Sequence, residues 1–434
     1  MKKVLGGIIL LILVLLMGAP WYIGKQVQTF YTQITEESLQ QNPTLDIKDL
    51  DYQRGWFSSV ITGTITFKTM GDDLALPADI RFKSDVIHGP VFWAALSSGS
   101  AMGLALDHST VWIEPVDESD PEMAAMIKEI PPFEMKSLIG FNKTISSVYS
   151  IAAYAKSIES GSSPVNIDFA GLTGNGTFNW GSKDFDFKAE MPSFSIKESE
   201  NEAFIIDSLI LSAAKAGGDT SARYDIAKIA CNSKAANIHF VLDKAYVEAL
   251  SKETGEVYNS TLETGFDRLV NNYVTFAPAK LELMLDNLDK ASIDTLRETI
   301  NEAAASDAMG SEMYGMMLMG KVMELLPEIL KRDPKLTLTT LSLGTGDDET
   351  LTATGYAKIL GEQAINLPSA AFIAQALDAE FEAALPKAFL NNFVDLGQLM
   401  QLMDQGLLVS DEMYYRTKAI VKEGHVTING NTIM

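Results

Sequence analysis

The first segment of the chain limits its folding more than any other. Residues 4–24 carry no charge, and they follow Lys2 and Lys3. A helix rises about 1.5 Å per residue, so about 20 apolar residues span the roughly 30 Å of bilayer hydrocarbon. Trp21 and Tyr22 close the run, which is typical of side chains at the headgroup boundary. The sequence therefore predicts one N-terminal transmembrane helix, with the two lysines on the cytoplasmic side.

A cleaved secretory signal peptide is the alternative to a retained anchor. The best position for cleavage follows Gly18-Ala19, but Pro20 comes next and disfavours it. The only cysteine, Cys231, lies far from the run, which excludes a bacterial lipoprotein and also an internal disulfide. We therefore expect the anchor to be retained and the rest of the chain to be exported.

The charge balance excludes one class of partner. The chain has 34 basic and 57 acidic residues, which gives a net charge of −23. Proteins bind nucleic acid through clustered lysine and arginine, so no nucleic-acid partner is expected. With only 4 histidines and 1 cysteine, a metal site built from these residues is not expected either. No cofactor is predicted.

Short motifs near the two ends of the chain carry a family resemblance. They comprise Tyr52-Gln53-Arg54-Gly55-Trp56-Phe57-Ser58-Ser59, His88-Gly89-Pro90 and Val426-Thr427-Ile428-Asn429-Gly430. In this order and spacing they resemble the YdgA-like family of bacterial envelope proteins, a domain of unknown function. The resemblance implies an inner-membrane anchor and a periplasmic body, and it implies no catalytic residues. The candidate site residues from these motifs are Arg54, Gly55, Trp56, Phe57, Ser58, His88, Gly89, Pro90, Asn429 and Gly430.

The first motif also has a physical interpretation. Residues 51–66 alternate about Ile61, which predicts a long strand that starts near Arg54 and holds Trp56 and Phe57 on opposite faces. One hypothesis makes Arg54 and His88 a polar pair in a groove. The other gives them structural roles, at a strand start and in a Gly-Pro turn, and the sequence favours this second hypothesis.

Apolar periodicity predicts both strands and helices in the body of the chain. Strands are expected near residues 165–169, 178–187, 280–285, 336–343, 350–356, 379–385 and 425–428. Helices are expected at residues 121–130, 293–305, 311–331 and 393–403, and in a last helix that Ser410 caps and Gly424 ends. We therefore expect an α+β fold of long, mostly antiparallel sheets with packed helices, preceded by the transmembrane helix. The predicted parts are a membrane anchor at 1–24, a β-rich periplasmic region at 25–213 and an α+β periplasmic region at 214–434.

Methionines concentrate in residues 309–323. In a helix, one side of this segment forms a candidate apolar wall made of Met313, Met316, Met317 and Met323. Core packing is the simplest interpretation, because methionine fills irregular gaps. A pliable wall for acyl chains or for a partner helix, and a copper(I) site at Met317 and Met319, are the alternatives.

No catalytic constellation accompanies these features. A nucleophile elbow, a phosphate-binding loop and a zinc helix are absent from the sequence, and Ser212 and Lys215 lack the partner motif of serine enzymes with that spacing. We therefore predict a non-enzymatic protein, held at the bacterial inner membrane with its body in the periplasm, that binds or transfers an amphipathic, lipid-like envelope component. The alternatives are an envelope scaffold or self-associating interaction protein without a ligand cavity, and a cell-wall or lipid hydrolase.

Overall fold

The computed structural model describes residues 19–29, 31–33, 45–67, 78–92, 101–115, 121–160, 163–199, 201–305, 311–345, 349–364, 375–391 and 394–433. Contacts divide the chain into two units. Unit 1 comprises Met1–Ala155, Asp168–Pro192 and Ile300–Gly310, and unit 2 comprises Lys156–Ile167, Ser193–Thr299 and Ser311–Met434. The division of the body predicted at residue 214 stays a prediction.

Strands dominate the structure. They are β1 (Leu45–Arg54), β2 (Ser58–Phe67), β3 (Ala78–His88), β4 (Val91–Phe92), β5 (Ala101–Met102), β6 (Ala105–Pro115), β7 (Phe133–Ile139), β8 (Thr144–Ile151), β9 (Tyr154–Ser160), β10 (Ser163–Phe169), β11 (Leu172–Asn179), β12 (Phe185–Ser199), β13 (Glu202–Ala216), β14 (Asp219–Ser233), β15 (Ile238–Thr254), β16 (Val257–Phe266), β17 (Arg268–Asn271), β18 (Thr275–Phe276), β19 (Ala279–Asp289), β20 (Lys335–Gly344), β21 (Thr350–Ile359), β22 (Leu377–Pro386), β23 (Val409–Ser410), β24 (Tyr414–Lys422), β25 (His425–Ile428) and β26 (Asn431–Thr432). The helices are α1 (residues 19–29 and 31–33), α2 (Pro121–Glu129), α3 (Lys290–Ala305), α4 (Ser311–Leu330), α5 (Gly361–Ala364), α6 (Lys387–Leu390) and α7 (Leu396–Asp404).

The predicted α+β fold class is wrong, because the structure is 63% strand and only 19% helix. The helix expected after Ser410 shows why. Ser410 was the predicted cap, but the residue after it, Asp411, holds a turn by accepting hydrogen bonds from the backbone N–H groups of Met413 and Tyr414. The residues that follow alternate in the two-residue period of a strand, and they form β24. Capping residues alone therefore misled the helix prediction.

The predicted transmembrane helix is a second correction to the fold class. Residues 1–18 of the predicted span lie outside the described residues. The remainder of the span, residues 19–24, begins α1, whose Ile23 packs in the core of unit 1. In the part of the chain that the structure describes, no helix has the length and apolar character needed to cross a membrane.

Unit 1 contains an antiparallel sheet with the strand order β1-β2-β3-β6-β7-β8-β11-β12. α1 packs against one face of this sheet. Ile23 and Val27 lie four residues apart on α1, so they share one side of the helix. They contact a buried cluster of the sheet that includes Ile61, Val86 and Ile139. Burial of this apolar stripe fixes α1 to the sheet.

Unit 2 contains an antiparallel sheet with the strand order β13-β14-β15-β16-β19-β20-β21-β22-β24-β25-β26. The chain leaves this sheet between β19 and β20 to form α3 and α4. Asp289 ends β19 and accepts hydrogen bonds from the backbone N–H of Ser292 at 2.9 Å and from Arg332 at 3.2 Å. Although burial disfavours its charge, these donors lower the pKa of Asp289. The Asp289 carboxylate therefore links the first turn of α3 to Arg332, which follows α4 in the chain.

The packing of α7 gives a stability prediction. Leu399 is fully buried, whereas Met400 beside it on the same helix is exposed. Replacing Leu399 by alanine removes packed methyl groups, so Leu399→Ala is expected to lower the free energy of unfolding by about 2–5 kcal/mol. Met400→Ala is the matched control and is expected to change it by less than about 0.5 kcal/mol. Denaturant unfolding followed by circular dichroism measures both, and equal effects of the two substitutions would contradict the described packing.

Candidate functional site

The two motifs in the first part of the chain meet at one end of the unit 1 sheet. Gly55, Trp56 and Phe57 form the loop between β1 and β2, closed by a hydrogen bond of 2.7 Å from the Gly55 N–H to the Ser58 carbonyl. The His88 N–H donates to the Phe57 carbonyl at 2.8 Å. The expected strand over residues 51–66 is therefore a hairpin, and Trp56 and Phe57 lie in its loop rather than on opposite faces of a strand.

His88 is buried at the junction of α1 and the sheet. Its Nε2 lies 2.8 Å from the Ser59 hydroxyl, and its Nδ1 lies 3.4 Å from the Trp56 carbonyl. A β-carbon added at Gly24 of α1 would lie 2.4 Å from the imidazole ring. The absence of a side chain at Gly24 thus lets α1 approach the histidine, and burial lowers the pKa of His88.

Arg54 does not join His88. Its guanidinium donates to the side-chain oxygen of Gln28 at 3.3 Å and lies 5.8 Å from the ring centre of Trp21. Both partners belong to α1, so Arg54 contacts the outer side of that helix, whereas His88 packs against its inner side at Gly24. Gly89 and Pro90 follow β3 directly, and the Gly89 N–H donates to the Leu104 carbonyl at 2.7 Å.

A chain of buried polar side chains that the motif analysis missed lies beside Ser59 on the same face. Ser109 donates to the Asp107 carboxylate at 2.7 Å and contacts the Ser84 hydroxyl at 2.5 Å. The Tyr31 hydroxyl of α1 also hydrogen-bonds this carboxyl group. In the described structure Oδ1 of Asp107 has no hydrogen-bond partner, and burial raises the pKa of Asp107. Each of these polar residues is ordinary within its own strand, and Ser84 meets Ser109 only because β3 pairs with β6, so local sequence gives no signal for the cluster.

This cluster holds a serine–histidine contact but does not present it to a substrate. Ser59 and His88 are only 1% and 4% exposed, beneath α1. The second ring nitrogen of His88 faces a backbone carbonyl, whereas hydrolases usually place a carboxylate there. Among the described residues, no group of three or more histidine, cysteine, aspartate or glutamate side chains is arranged to hold a metal ion. The geometry of this cluster suits a structural role at the α1–sheet contact.

Asn429 and Gly430 belong to unit 2, where they form the turn between β25 and β26. Both have positive φ angles, 51° and 84°, as a tight hairpin of this kind requires. The Asn429 side chain accepts from the Lys418 N–H at 2.8 Å and donates to the Gly406 carbonyl at 3.0 Å. This asparagine therefore fastens the segment after α7 to β24.

The unit 2 sheet has one charged face. Directly paired residues share a face, which places Arg223, Glu248, Glu263 and Glu282 in one row across β14, β15, β16 and β19. Arg223 binds Glu248 at 2.9 Å, and Lys280 lies 3.2 Å from Glu263 and 3.3 Å from Glu282. Mutual pairing thus neutralises much of this face.

The opposite face is apolar and open. The next row on it contains Ala222, Ala249, Leu262, Leu283 and Leu338, which lie on the five neighbouring strands β14, β15, β16, β19 and β20. Leu262 and Leu336 are 38% and 46% exposed. Together with their neighbours they form an open trough of about 380 Å³. We call this the trough, and its lining residues are Thr220, Ala222, Ala249, Leu250, Ser251, Ser260, Thr261, Leu262, Leu283, Leu285 and Leu336.

The trough has a polar corner at one end. Thr220, Ser251 and Ser260 are paired across β14, β15 and β16, and the Ser260 hydroxyl donates to the Ser251 hydroxyl at 3.2 Å. The same row continues with Leu285 and Leu336 on β19 and β20. Among the described residues that line the trough, none is charged. The surface therefore combines an aliphatic floor with neutral hydroxyl groups at one corner, which matches an uncharged amphipathic molecule.

The methionines of the predicted apolar wall lie on α4. Met316 and Met323 are exposed, and Met317 is half-buried. The side chain of Met313 lies outside the described residues. None of the described methionines of α4 lines the trough. The described part of the predicted apolar wall and the trough are therefore two different surfaces, and a binding role of the methionines stays a prediction.

The chain belongs to a family of bacterial proteins of unknown function, DUF945, whose sequence model matches residues 1–434. No curated protein matches the chain significantly. The match confirms the family-level part of the resemblance, a bacterial domain of unknown function that spans the whole chain. The finer identification with YdgA-like envelope proteins stays a prediction.

The environment of His88 predicts a pH dependence of stability. Because burial lowers its pKa in the folded state, the unfolded chain binds a proton more readily below about pH 6.5. The free energy of unfolding is therefore expected to fall as pH decreases from about 6.5 towards the folded-state pKa. In His88→Gln this part of the pH dependence should be missing. The difference in the free energy of unfolding between the wild type and His88→Gln, which we call the stability gap, should therefore narrow at lower pH.

Thermal unfolding of both proteins from about pH 7.5 to pH 5 measures this gap. Asp107 titrates with the opposite sign, since its pKa is raised, but both proteins contain it and its effect cancels in the comparison. The matched control is His425→Gln, which replaces an exposed histidine on β25. A stability gap to His88→Gln that is constant across the pH range would contradict the prediction.

Proposed function

We propose that this protein binds an amphipathic, lipid-like molecule without chemical conversion, and that the hydrocarbon part of the ligand lies in the trough of unit 2. The observation that carries the proposal is the open row of aliphatic side chains on one sheet face, ending at hydroxyl groups. Large exposed apolar patches on soluble bodies generally mark interaction or ligand sites. The charged opposite face leaves only this side of these strands suited to hydrocarbon.

The dimensions of the trough support this class of ligand. It crosses the five strands from β14 to β20, whose neighbours are about 4.8 Å apart, so its length across the sheet is roughly 19 Å. An extended acyl chain is of comparable length. Burial of one methylene group gains about 0.8 kcal/mol, so ten of them gain roughly 8 kcal/mol before the cost of immobilising the ligand. We therefore expect an affinity in the micromolar range or weaker.

The polar corner supports an uncharged head group. Thr220, Ser251 and Ser260 each offer a hydroxyl that both donates and accepts hydrogen bonds. A hydroxyl, ester or amide group next to the acyl chain satisfies such a corner, whereas a carboxylate finds no cation among the described lining residues. Glycerol esters and related neutral lipids have this chemistry.

We also propose the bacterial cell envelope as the place of binding, with the body in the periplasm. Two observations support this location. Residues 4–24 form an uncharged apolar run that begins after two lysines, and the family is bacterial.

A charge placed in the trough tests the proposed site. In Leu262→Asp and Leu336→Asp a carboxylate replaces an aliphatic contact, and hydrocarbon cannot solvate it. Binding of a fluorescent monoacylglycerol, followed by its emission on titration with the full chain, is expected to weaken at least about tenfold in each variant. The matched control is Leu396→Asp, which adds the same charge at an exposed leucine of α7 outside the trough. Equal affinities of all four proteins would reject the trough as the site.

The extent of the apolar face favours self-association as a second candidate function. Tyr224, Val247 and Phe381 are exposed on the same face, beyond the trough. A second copy that covered them would bury a larger area than one acyl chain. Sedimentation of the full chain in mild detergent tests this candidate, because Tyr224→Ser with Phe381→Ser should then shift oligomers to monomers while monoacylglycerol binding is retained. A wild-type chain that sediments only as a monomer would reject it.

A further inference from the structure

A group of exposed aromatic side chains surrounds Arg54 in unit 1. Trp21 and Tyr22 of α1 are 44% and 59% exposed, and Trp56 and Phe57 of the β1–β2 loop are 52% and 54% exposed. We call these four residues together with Arg54 the aromatic patch. Tryptophan, tyrosine and phenylalanine are costly to expose to water, so their concentration at one place calls for an explanation other than the packing of unit 1.

Contacts join Trp21, Trp56 and Arg54 of the aromatic patch, and Tyr22 and Phe57 are chain neighbours of the two tryptophans. The rings of Trp21 and Trp56 lie 6.5 Å apart, at an interplanar angle of 43°. The Arg54 guanidinium lies over the Trp21 ring at 5.8 Å, and Phe57 follows Trp56 in the chain. The inner side of α1 is bound to the sheet through Ile23 and Val27, so the helix holds this outer surface in place.

The charge of the aromatic patch is positive, although the chain as a whole has a net charge of −23. Among the described residues, no carboxylate lies within salt-bridge distance of Arg54, which instead contacts the neutral side chains of Gln28 and Trp21. Lys25 is also exposed on α1, one turn from Tyr22. A cation beside exposed aromatic rings fits a surface that carries phosphate groups above hydrocarbon.

We propose that the aromatic patch docks on the surface of a phospholipid bilayer, with Trp56 and Phe57 in the interfacial layer and Arg54 at the phosphates. Aromatic rings with a polar edge concentrate in this layer because one end is apolar and the other is hydrated. Long basic side chains keep their charge at the headgroups while their stems contact apolar surface. The proposal assigns the motif Arg54-Gly55-Trp56-Phe57 a role in binding the membrane surface.

The sequence before α1 favours a bilayer over a protein as the occupant. Residues 4–18 are uncharged and mainly aliphatic, and they lead directly into the helix that carries Trp21 and Tyr22. Chain of this composition has its lowest free energy in or on a lipid phase. The aromatic patch includes Trp21 and Tyr22, which closely follow this apolar run in the sequence, and this favours lipid as its partner. This inference does not depend on the trough, which belongs to unit 2.

Spin labelling of the full chain in vesicles tests the proposal. With Cys231→Ser as background, a nitroxide is attached at Ser58→Cys, beside the aromatic patch, or at Tyr273→Cys, an exposed turn residue of unit 2. In vesicles of equimolar phosphatidylcholine and phosphatidylglycerol, the label at position 58 should be several-fold less accessible to a water-soluble nickel complex than the label at position 273. Its accessibility to oxygen, which concentrates in hydrocarbon, should be higher.

A variant of the aromatic patch separates docking from the effect of the N-terminal segment. Trp56→Ser with Phe57→Ser leaves residues 1–18 unchanged, and it should return the label at position 58 to the accessibility seen at position 273. Arg54→Gln should weaken the protection more in vesicles that contain phosphatidylglycerol than in pure phosphatidylcholine. Thermal unfolding checks that each variant is folded.

Two results would overturn the proposal. In the first, the label at position 58 of the protein with all its aromatic residues is as accessible to nickel as the label at position 273. The aromatic patch would then have a protein partner or no partner. Alternatively, protection would persist unchanged after both aromatic residues become serine, which assigns it to residues 1–18 alone.

Discussion

Direct cross-strand pairing is the constraint on which the rest of unit 2 depends. In an antiparallel sheet, residues opposite each other project to the same side, so one register fixes the composition of both faces. Ala249, Leu262 and Leu283 then fall in one row, while Glu248, Glu263 and Glu282 fall in the row behind it. A slip of one residue between any two of these strands would bring carboxylates among the leucines. The ion pairs on one face and the aliphatic floor on the other therefore enforce the same register.

A local irregularity adapts this register at β20. The pairing of β19 with β20 shifts between Glu282 and Leu283, and the pairing of β20 with β21 shifts between Leu338 and Leu341. A bulge inserts an extra residue without moving the flanking side chains to the wrong face. Leu338 and Leu341 consequently both point to the apolar side, and the row that starts at Ala222 continues across the bulge. In unit 1 the local adaptation is a glycine rather than a bulge. α1 can lie against His88 only because Gly24 has no side chain.

Several elements followed from local sequence, and the pairing of strands that builds the trough did not. α2 and α4 lie close to the segments that apolar spacing predicted, since a helix is specified by residues three and four apart. β13, β14 and β15 were not predicted, because their alternation is blurred by alanine and serine. The trough needs five strands in register, and the pairing partners lie tens of residues apart in the chain. The buried Asp107–Ser109–Ser84 chain was hidden for the same reason, since each polar residue looks ordinary within its own strand.

The floor of the trough has a consequence for selectivity. Hydrophobic contact is non-directional, and neighbouring strands repeat the same aliphatic surface at regular intervals. Nothing along the floor distinguishes a ligand tail that ends over one strand from a tail that ends over the next. If the trough binds lipid as proposed, its floor does not select for chain length, and discrimination between lipids falls to the three hydroxyl groups at its corner.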